Sequence, residues 1–572
     1  MTRRWLLRLL PFAAFARRRA AAAPEAAATI VSVADFGAIP GSPDATAGIR
    51  AAIAHLPRRG GATLLLPPGA YNVSGDAKDD AVLRCIGIEK LTVDGRGATL
   101  NVRGKTFPAV FDRCDGLFVR GLTVDWPRPP FSQGMVVAVG AGGTTVDIKI
   151  DDEFPVDGSE PVQAITTHER GSLRMPVHGL DADRVVDRVT LSGRQRLRLA
   201  LKRPLPLHAG DVVVLRHQIY GTNVFHLTAC RDVRFAEVNV YAAPGMALLA
   251  AGCTNVTIDR FRVEPRPGTA RLMSTCADGL HIASCHGRVE IRNCYIGGLG
   301  DDCINVHGRV LTVAERLDAR TLLVDLDGHG AFTDMDLASP GDRVEFLDRR
   351  SLKSRGEATV AASAAGPHQR LRFAGDLPAG VEPGDFLCDV GEITRLTISD
   401  SEFPGNRGRG ILAHRNVAIE RCSFADQFYE AILLLFDNSG EDGPTIGNVV
   451  IARNRFHGTG RAGAPHGAIR IQSVTANAGG LAGPVAGIIG RGISIVDNLI
   501  VDSGGSAIEV GEAGAVTIAR NRIDRRGGPA IILDTVGGVL VGGNVCKPPA
   551  PLVLRNTPTS EIKLKDNRGL LT

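Results

Sequence analysis

The chain has 572 residues, 44% of them hydrophobic, so it can bury a large core and is too long for a simple binding module. Its 66 basic and 61 acidic residues leave a net charge of only +5, and the arginines are dispersed. This balance argues against nucleic acid and favours a neutral or weakly charged partner. Aromatic residues make up 5% while glycine occurs 68 times, which indicates many turns and repeated aliphatic layers.

Residues 1–28 are predicted to be an export signal. Basic residues precede an apolar stretch from Leu9 to Ala16, and the order Thr2-Arg3-Arg4-Trp5-Leu6-Leu7 resembles a twin-arginine signal. A disordered basic start is the alternative. We therefore expect an exported protein, periplasmic or secreted. No later stretch is apolar for long enough to predict a membrane span.

The segment after the signal predicts a short helix and a first strand. Apolar residues recur at helical spacing between Asp44 and Leu56, and Leu64-Leu65-Leu66 then leads into a turn at Pro67. Such a helix would cover the open edge of the first β-layer. We assign residues 29–128 to the first part of a repetitive β-fold.

The repeats begin at Cys114, Cys230 and Cys253, and each predicts two short strands joined by a bend. One such unit cannot bury its apolar face alone, so the units must stack. The pattern predicts an all-β parallel β-helix with coils of 23 residues, the interval from Cys230 to Cys253. Cys276 follows after another 23 residues, which favours an inward stack of free cysteines over disulfides or metal ligands.

Two stretches, 129–217 and 308–390, interrupt the coil pattern with longer alternating strands, such as Met135 to Ile150. They resemble each other, because the pattern Gln-Arg-Leu-Arg that starts at Gln195 returns 174 residues later at Gln369. We predict two related small antiparallel β-barrels inserted into one β-helix. The helix would then comprise residues 29–128, 218–307 and 391–572.

The segment from Ala277 to Gly308 carries the candidate catalytic residues. Asp278 and Asp301 are 23 residues apart, and Asp302 follows directly. With a coil of that length, Asp278 should lie beneath Asp301 on the same sheet, about 5 Å away. Three such carboxyls cannot all ionise normally, so one should stay protonated. Hydrolysis of a glycosidic bond needs an acid and a base of this kind. Solvated loop residues and calcium ligands are the alternatives.

These motifs also carry a family resemblance. Ala277-Asp278-Gly279 and Gly300-Asp301-Asp302-Cys303 resemble the active-site motifs of polygalacturonases, glycoside hydrolase family 28. The compact form that continues to His307-Gly308 more closely resembles glycoside hydrolase family 110, the exo-acting α-1,3-galactosidases. Asp125-Trp126 with the residues up to Gly134, and Ala243 to Ala247, are similar too. The resemblance extends from about residue 31 to 460.

The resemblance implies a right-handed parallel β-helix with two inserted barrels and an inverting hydrolase. The substrate would be a galactose-terminated glycan, blood-group-B-like or a linear α-1,3-galactoside. Asp278, Asp301 and Asp302 carry over as catalytic residues. We take Asp301 as the general acid and the other two as positioning water, with the roles exchangeable among them. No cofactor or metal is expected, and the resemblance suggests a homodimer.

Six further residues are candidate substrate contacts. His281, Asn305 and His307 should share the face of the aspartates, and the other three lie on following coils: Arg407, Arg409 and Glu430. Structural roles at coil turns and solvated coil edges are the alternatives for them. Further along, Ile493, Val516 and Val539 recur every 23 residues, and Asn498, Asn521 and Asn544 follow at the same interval as turn residues.

Two other functions remain open. A polygalacturonase is favoured by Ile469-Arg470-Ile471-Gln472, which partly resembles the Arg-Ile-Lys element of that family, although Gln472 replaces the second cation. A non-catalytic glycan-binding β-helix also fits, because fold alone does not fix function.

Overall fold

The computed structural model describes residues 29–75, 81–325, 338–364, 366, 368–391, 393–437, 443, 445–476, 482–484, 487–525 and 527–571. The predicted export signal, residues 1–28, lies outside these ranges. Within them, no helix has both the length and the apolar character needed to cross a membrane.

The main body is a right-handed parallel β-helix, as predicted. Successive coils pair in parallel, so that Leu227 lies beside Ala250 and Ala250 beside Ile282. Parallel strands joined by crossovers almost always coil to the right, because twisted strands pack back onto the sheet that way. The inward positions of these strands hold small aliphatic side chains with almost no exposure. Burying the apolar face of each coil on its neighbours stabilises the stack.

We call the strand layer that carries the candidate site sheet 1 and the remaining β-helix strands sheet 2. The strands of sheet 1 are Ala81–Ile86, Phe107–Asp112, Phe225–Thr228, Leu248–Ala251, Leu280–Ala283, Ile304–His307, Ile411–Ala413, Ile432–Asp437, Ile469–Ala476, Ala482–Pro484, Ile508–Gly511 and Ile531–Asp534. A long strand, Val545–Arg555, pairs with both sheets.

The strands of sheet 2 are Thr29–Ser32, Ala62–Leu65, Ala70–Gly75, Leu91–Gly104, Phe118–Asp125, Arg231–Val240, Thr254–Val263, His286–Arg292, Tyr295–Ile296, Ile393–Ser399, Glu402–Phe403, Arg415–Glu420, Ser423–Ala425, Gly447–Ala452, Arg455–His457, Gly490–Val496, Leu499–Val501, Ala513–Ala519, Arg522–Asp524, Gly537–Gly542, Ile562–Lys565 and Arg568–Leu571.

The predicted N-terminal helix is present as Thr46–Ala54. It buries Ile49 and Ala52 against the first coils, which is the covering role that the apolar spacing indicated. Two short 3-10 helices, Val33–Phe36 and Thr559–Glu561, complete the helical content of the described residues.

The prediction that the cysteines form no disulfides is correct, whereas the predicted inward stack of three cysteines is partly wrong. All 11 cysteines are buried and free. Cys230 and Cys253 do stack, since their strands pair in parallel. Cys276 instead packs in the core of the first insertion. The reason is the coil length: Phe225 to Leu248 spans 23 residues, but Leu248 to Leu280 spans 32. The longer coil brings Cys285 into the inward position.

The C-terminal repeat is confirmed. Ile493 pairs with Val516 and Val516 with Val539. The asparagines at the intervening bends form a buried ladder, in which the Asn498 Nδ2 donates to Asn521 Oδ1 at 3.0 Å and the Asn521 Nδ2 to Asn544 Oδ1 at 3.0 Å. The ladder satisfies amide groups that would otherwise be buried without partners.

The two insertions differ in architecture. The first was predicted to be a barrel but is an open antiparallel sheet of seven strands. Its strands are Phe131–Val139, Thr145–Ile150, Ala164–His168, Asp181–Asp183, Val186–Gly193, Arg196–Leu201 and Val212–Arg216. Asp181–Asp183 and Val186–Gly193 are its edge strands. The second is a closed barrel: Val310–Arg316, Thr321–Asp325, Arg343–Leu347, Ser354–Ala364, Gln369–Phe373 and Phe386–Asp389.

Candidate active site

The three predicted aspartates share one patch on sheet 1. One carboxylate oxygen from each of Asp278, Asp301 and Asp302 lies within 4.8 Å of the others. The predicted register is wrong by one residue. Leu280 pairs with Ile304, an offset of 24, so Asp278 is level with Asp302 and not with Asp301. The backbone N–H of Asp302 donates to Asp278 Oδ1 at 3.0 Å, which ties the two coils together.

Glycines let the turns of these coils approach closely. A Cβ on Gly300 would lie 2.4 Å from the Cys276 carbonyl oxygen, and one on Gly408 would lie 2.3 Å from the Asp301 carbonyl carbon. Any side chain at either position would push the neighbouring coil away. The spacing of the carboxyls therefore depends on these two glycines.

Asp278 begins a buried hydrogen-bonded relay. Burial lowers the pKa of His281 to about 4 and that of His307 to about 3, so both imidazoles are neutral at neutral pH. His307 Nδ1 faces the Gly308 carbonyl at 3.1 Å and must donate to it, so its Nε2 accepts from His281 Nε2 at 2.9 Å. His281 Nδ1 then accepts from the Asp278 carboxyl at 2.6 Å.

The relay requires a protonated Asp278. Burial, and then the charge of Asp301, raise the pKa of Asp278 well above its usual value, which agrees with the hydrogen-bond directions. The predicted sugar contacts of His281 and His307 are therefore corrected, because protein partners occupy both nitrogens of each ring. Asn305 lies beside His281 on the next strand and is half-buried, and its Oδ1 has no partner among the described residues. It keeps the predicted capacity to bind a hydroxyl.

Asp302 is held by Arg409. Its Oδ1 accepts the Arg409 backbone N–H at 2.7 Å, and the guanidinium lies 3.4 Å from its Oδ2. Burial and the charges of Asp301 and Asp278 raise the pKa of Asp302 to about 7, although Arg409 opposes the shift. This carboxyl therefore changes charge close to neutral pH, where a catalytic base is most effective.

Replacement of Arg409 by glutamine should move the pH profile. The cation favours the ionised form of Asp302, so its removal raises the pKa of that carboxyl further. If the ionised form is needed, the acidic limb of kcat/KM moves to higher pH. A pH series on Arg409→Gln and on Arg491→Gln, an exposed arginine of a distant coil, measures this shift. An unmoved limb in Arg409→Gln would contradict the prediction.

Asp301 lies nearest to solvent, between a tyrosine and an arginine. The Tyr220 hydroxyl donates to its Oδ2 at 2.5 Å, and Arg407 lies 3.4 Å from its Oδ1. Tyr220 is 65% exposed, so it stands at the rim of the site. Tyr220 was not among the predicted site residues, since a single tyrosine after an insertion carries no motif.

Arg407 is positioned by the first insertion. Its Nε donates to Asp181 Oδ2 at 2.8 Å, and the Tyr429 hydroxyl donates to the same oxygen at 2.8 Å. Asp183 lies 3.5 Å from the guanidinium. Burial would lower the pKa of Arg407, but the charges of Asp301 and Asp181 raise it strongly, so the guanidinium stays protonated. Asp181, Asp183 and Tyr429 were missed as well, because Asp181 is 226 residues from Arg407 in sequence.

Replacement of Asp181 by asparagine should lower activity without unfolding the chain. The amide keeps the shape but loses the charge that fixes Arg407, so the guanidinium beside Asp301 is displaced. A displacement of about 1 Å can cost about 10²-fold in rate. We expect a fall of that order in kcat for Asp181→Asn. An unchanged rate, compared with the exposed control Asp187→Asn in the same insertion, would show that the sheet edge does not position the site.

Glu430 lies on the coil after Arg409 and adds another charged side chain to the candidate site. It is only 1% exposed, and its Oε1 accepts from His466 Nδ1 at 2.9 Å. Arg409 lies 3.9 Å and Arg470 3.5 Å from its carboxylate. Burial would raise the pKa of Glu430, but the His466 hydrogen bond and the charges of His466 and Arg409 lower it. Glu430 Oε2 has no hydrogen-bond partner among the described residues, which leaves an acceptor for a ligand.

Among the residues that the structure describes, two groups of side chains have the spacing of metal ligands. One is the aspartate trio, and the other joins His286 to Asp342 and Asp389 of the barrel. The expectation that the enzyme needs no metal stays a prediction.

The chain is similar to one family model and to several named proteins. The family model described as glycosyl hydrolases family 28 matches residues 220–315, which include the trio. Alpha-1,3-galactosidase A of Bacteroides fragilis is 27% identical over 481 residues, 77% of this chain and 78% of that protein. Alpha-1,3-galactosidase B of Phocaeicola vulgatus is 28% identical over 396 residues, 64% of this chain and 65% of that protein. The family 28 exopolygalacturonase of Yersinia enterocolitica aligns with a TM-score of 0.44 at 11% identity, covering 95% of this chain and 78% of that one.

The curated relatives and the family 28 match define the chain as a glycoside hydrolase, and its fold is a parallel β-helix. Within that class, its curated relatives over most of the chain are named alpha-1,3-galactosidases.

Proposed function

We propose that this chain is an exo-acting α-1,3-galactosidase that releases terminal galactose from glycans. The observation that carries the proposal is the trio itself, three carboxyls within 4.8 Å, in which burial raises the pKa of Asp278 well above its usual value and that of Asp302 to about 7. Such a difference supplies an acid and a base from one residue type. The relatives named alpha-1,3-galactosidase support the choice of galactose and of the linkage.

In the proposed mechanism Asp301, whose charge raises the pKa of both neighbouring carboxyls in the resting site, first takes up a proton from solvent and then passes it to the leaving oxygen. It suits this role because it lies nearest to solvent and to the rim residue Tyr220. Asp278 and Asp302, level with each other on neighbouring strands, hold the water between them. Asp302, with its pKa near 7, accepts the proton from that water. Asp278 stays protonated through its relay and orients the water by hydrogen bonding.

We propose inversion at the anomeric carbon, as the resemblance implies. The carboxyl oxygens lie within 4.8 Å, closer than the roughly 6.5–9.5 Å separation of most inverting pairs. We therefore place the attacking water beside Asp278 and Asp302, and not in the short gap between the acid Asp301 and the base Asp302. Proton NMR of the first product distinguishes the outcomes: β-galactose appears first if the reaction inverts, whereas α-galactose first would assign a carboxylate as nucleophile.

The substrate is tested with three glycans in parallel: a linear α-1,3-galactoside, a branched fucosylated one and polygalacturonate. Galactose should be released from one or both galactosides and no galacturonate from the polymer. The family 28 match over residues 220–315 and Arg470 favour a polygalacturonase as the second candidate. Release of galacturonate alone would establish that candidate. Binding of all glycans without hydrolysis would establish a glycan-binding protein.

Export of the protein and its partners are further parts of the proposal. Export is supported by the basic and apolar pattern of residues 1–28, and fractionation of the producing cells tests it. The homodimer and the absence of nucleic acid among its partners stay predictions, which light scattering and a gel-shift assay address.

A further inference from the structure

Sheet 1 carries a cavity that is centred on the strand Ile508–Gly511, four coils beyond the trio. The cavity has a volume of about 340 Å³, within the range of roughly 300–1,000 Å³ that small-molecule sites occupy. Counting strands from Ile304–His307 to Ile508–Gly511 gives four steps, or about 19 Å at ~4.8 Å per strand. It is therefore distant from the trio, although Arg470 on its near side also lies 3.5 Å from Glu430 of the candidate active site. The charged and amide side chains of its lining belong to Arg470, Gln472, Glu509, Glu512, Asp534 and Arg555.

Gly511 creates the floor of this cavity. It pairs with Asp534, which in turn pairs with Arg555, and its neighbour Val510 points into the core. Side chains alternate along a strand, so position 511 faces outward and presents no side chain where other coils have one. A Cβ there would be 3.4 Å from the Ile471 oxygen, which is an ordinary contact. The gap is therefore not required by the stacking of the coils.

Glu512 is a buried lining residue of the cavity, and one of its carboxylate oxygens is available to accept a hydrogen bond. It is 4% exposed, and its Oε2 accepts the Ser473 backbone N–H at 3.0 Å. No residue of the described ranges hydrogen-bonds to its other oxygen. Burial, and then the nearby charge of Asp534, raise the pKa of Glu512 to about 7. A buried carboxyl is costly unless a partner is present, so a ligand that bonds to it is favoured.

The charges of the lining nearly cancel. Arg470 and Arg555 face Glu509 and Asp534, while Glu512 is largely neutral below pH 7. Arg470 lies 3.7 Å from Glu509, and its buried Nε has no hydrogen-bond partner in the described part of the chain. Donors and acceptors therefore alternate around a nearly neutral space. This arrangement suits hydroxyl groups, which both donate and accept, better than an ion.

We propose that this cavity is a second carbohydrate site, which binds a neutral oligosaccharide and holds a glycan beside the active site. The proposal rests on the glycan substrate of the proposed function, but it concerns residues other than the trio, and one of these, Arg470, also contacts a candidate substrate residue, Glu430. Its ligand is the part of the glycan that remains after the terminal galactose has gone. Glycans that engage both sites should be retained longer than simple galactosides.

The test uses calorimetry on the full chain with a neutral tetrasaccharide, the product that lacks terminal galactose. Gly511→Leu fills the cavity from a position where a Cβ fits. We expect at least tenfold weaker tetrasaccharide binding for this variant and unchanged hydrolysis of a small aryl α-galactoside. Gly375→Leu, with no atom near its Cβ in the barrel, is the matched control and should bind as the parent does.

Glu512→Gln provides a second variant that keeps the side-chain shape. Parent affinity should fall as the pH rises through about 7, where Glu512 gains a charge next to Glu509 and Asp534 and opposite Arg470. The glutamine variant should lose that dependence. The proposal is overturned if the parent does not bind the tetrasaccharide or if Gly511→Leu binds it equally well. Heat from calcium chloride alone that Gly511→Leu abolishes would also overturn it, in favour of a cation site. These results do not depend on galactose release, so either proposal can fail alone.

Discussion

Asp301→Asn should lower galactose release by about 10²–10⁴-fold, the usual contribution of a positioned proton donor. The amide has the size of the carboxyl and can still accept from Tyr220, so the coil should keep its structure. It cannot, however, protonate the leaving oxygen. Initial rates on a linear α-1,3-galactoside, with the thermal midpoint of each variant, measure this. Asp187→Asn, an exposed position in the first insertion, is the matched control and should keep full activity.

The leaving group then separates the roles within the trio. If Asp301 is the acid, an aryl galactoside that leaves without protonation should restore much of the rate of Asp301→Asn. Asp302→Asn should gain little from that substrate, since it lacks the base, and should respond instead to added azide. The reverse pattern would exchange the two assignments. Full activity of Asp301→Asn on every substrate would remove this residue from the mechanism.

Arg216→Met should cause the largest loss of stability among the residues around the site. The Arg216 side chain is fully buried and donates to the carbonyls of Cys276 at 3.1 Å and Gly300 at 2.8 Å, and to Asp183 at 2.9 Å. Methionine leaves the Cys276 carbonyl without this donor, and a buried unsatisfied group costs about 1–3 kcal/mol. The Gly300 carbonyl still accepts from Arg407 Nη1 at 3.3 Å. We expect a loss of about 1–3 kcal/mol and, because Gly300 precedes Asp301, a marked loss of galactose release.

Denaturant midpoints followed by tryptophan fluorescence and by activity measure the Arg216 effect. Arg216→Lys keeps the charge but not the fork of donors, so its midpoint should fall between those of the parent and Arg216→Met. Arg198→Met makes the same change on the same sheet, at an exposed ion pair with Asp147. Its midpoint should hardly move. Equal midpoints for Arg216→Met and Arg198→Met would mean that the buried hydrogen bonds of Arg216 do not stabilise the turn at Gly300.

The sequence determined the features that depend on local chemistry and on the period of the coil. The repeats at Cys230 and Cys253, and the interval from Ile493 to Val539, were sufficient to predict the β-helix, because stacked coils repeat their inward residues at a fixed interval. The trio was found in the same way, since Asp278 and the Asp301-Asp302 pair lie about one coil apart.

Only the tertiary structure decided the register and the partners of these residues. The coil that holds Cys276 is 32 residues long, so its inward position passes to Cys285, and the trio aligns through Asp302. Asp181 and Arg216 come from an inserted sheet, and His281 and His307 bond to each other and not to solvent. The physical reason is that burial and long-range packing set these contacts. Sequence periodicity places a residue on a face, but the coil length and the inserted sheet determine what it meets there.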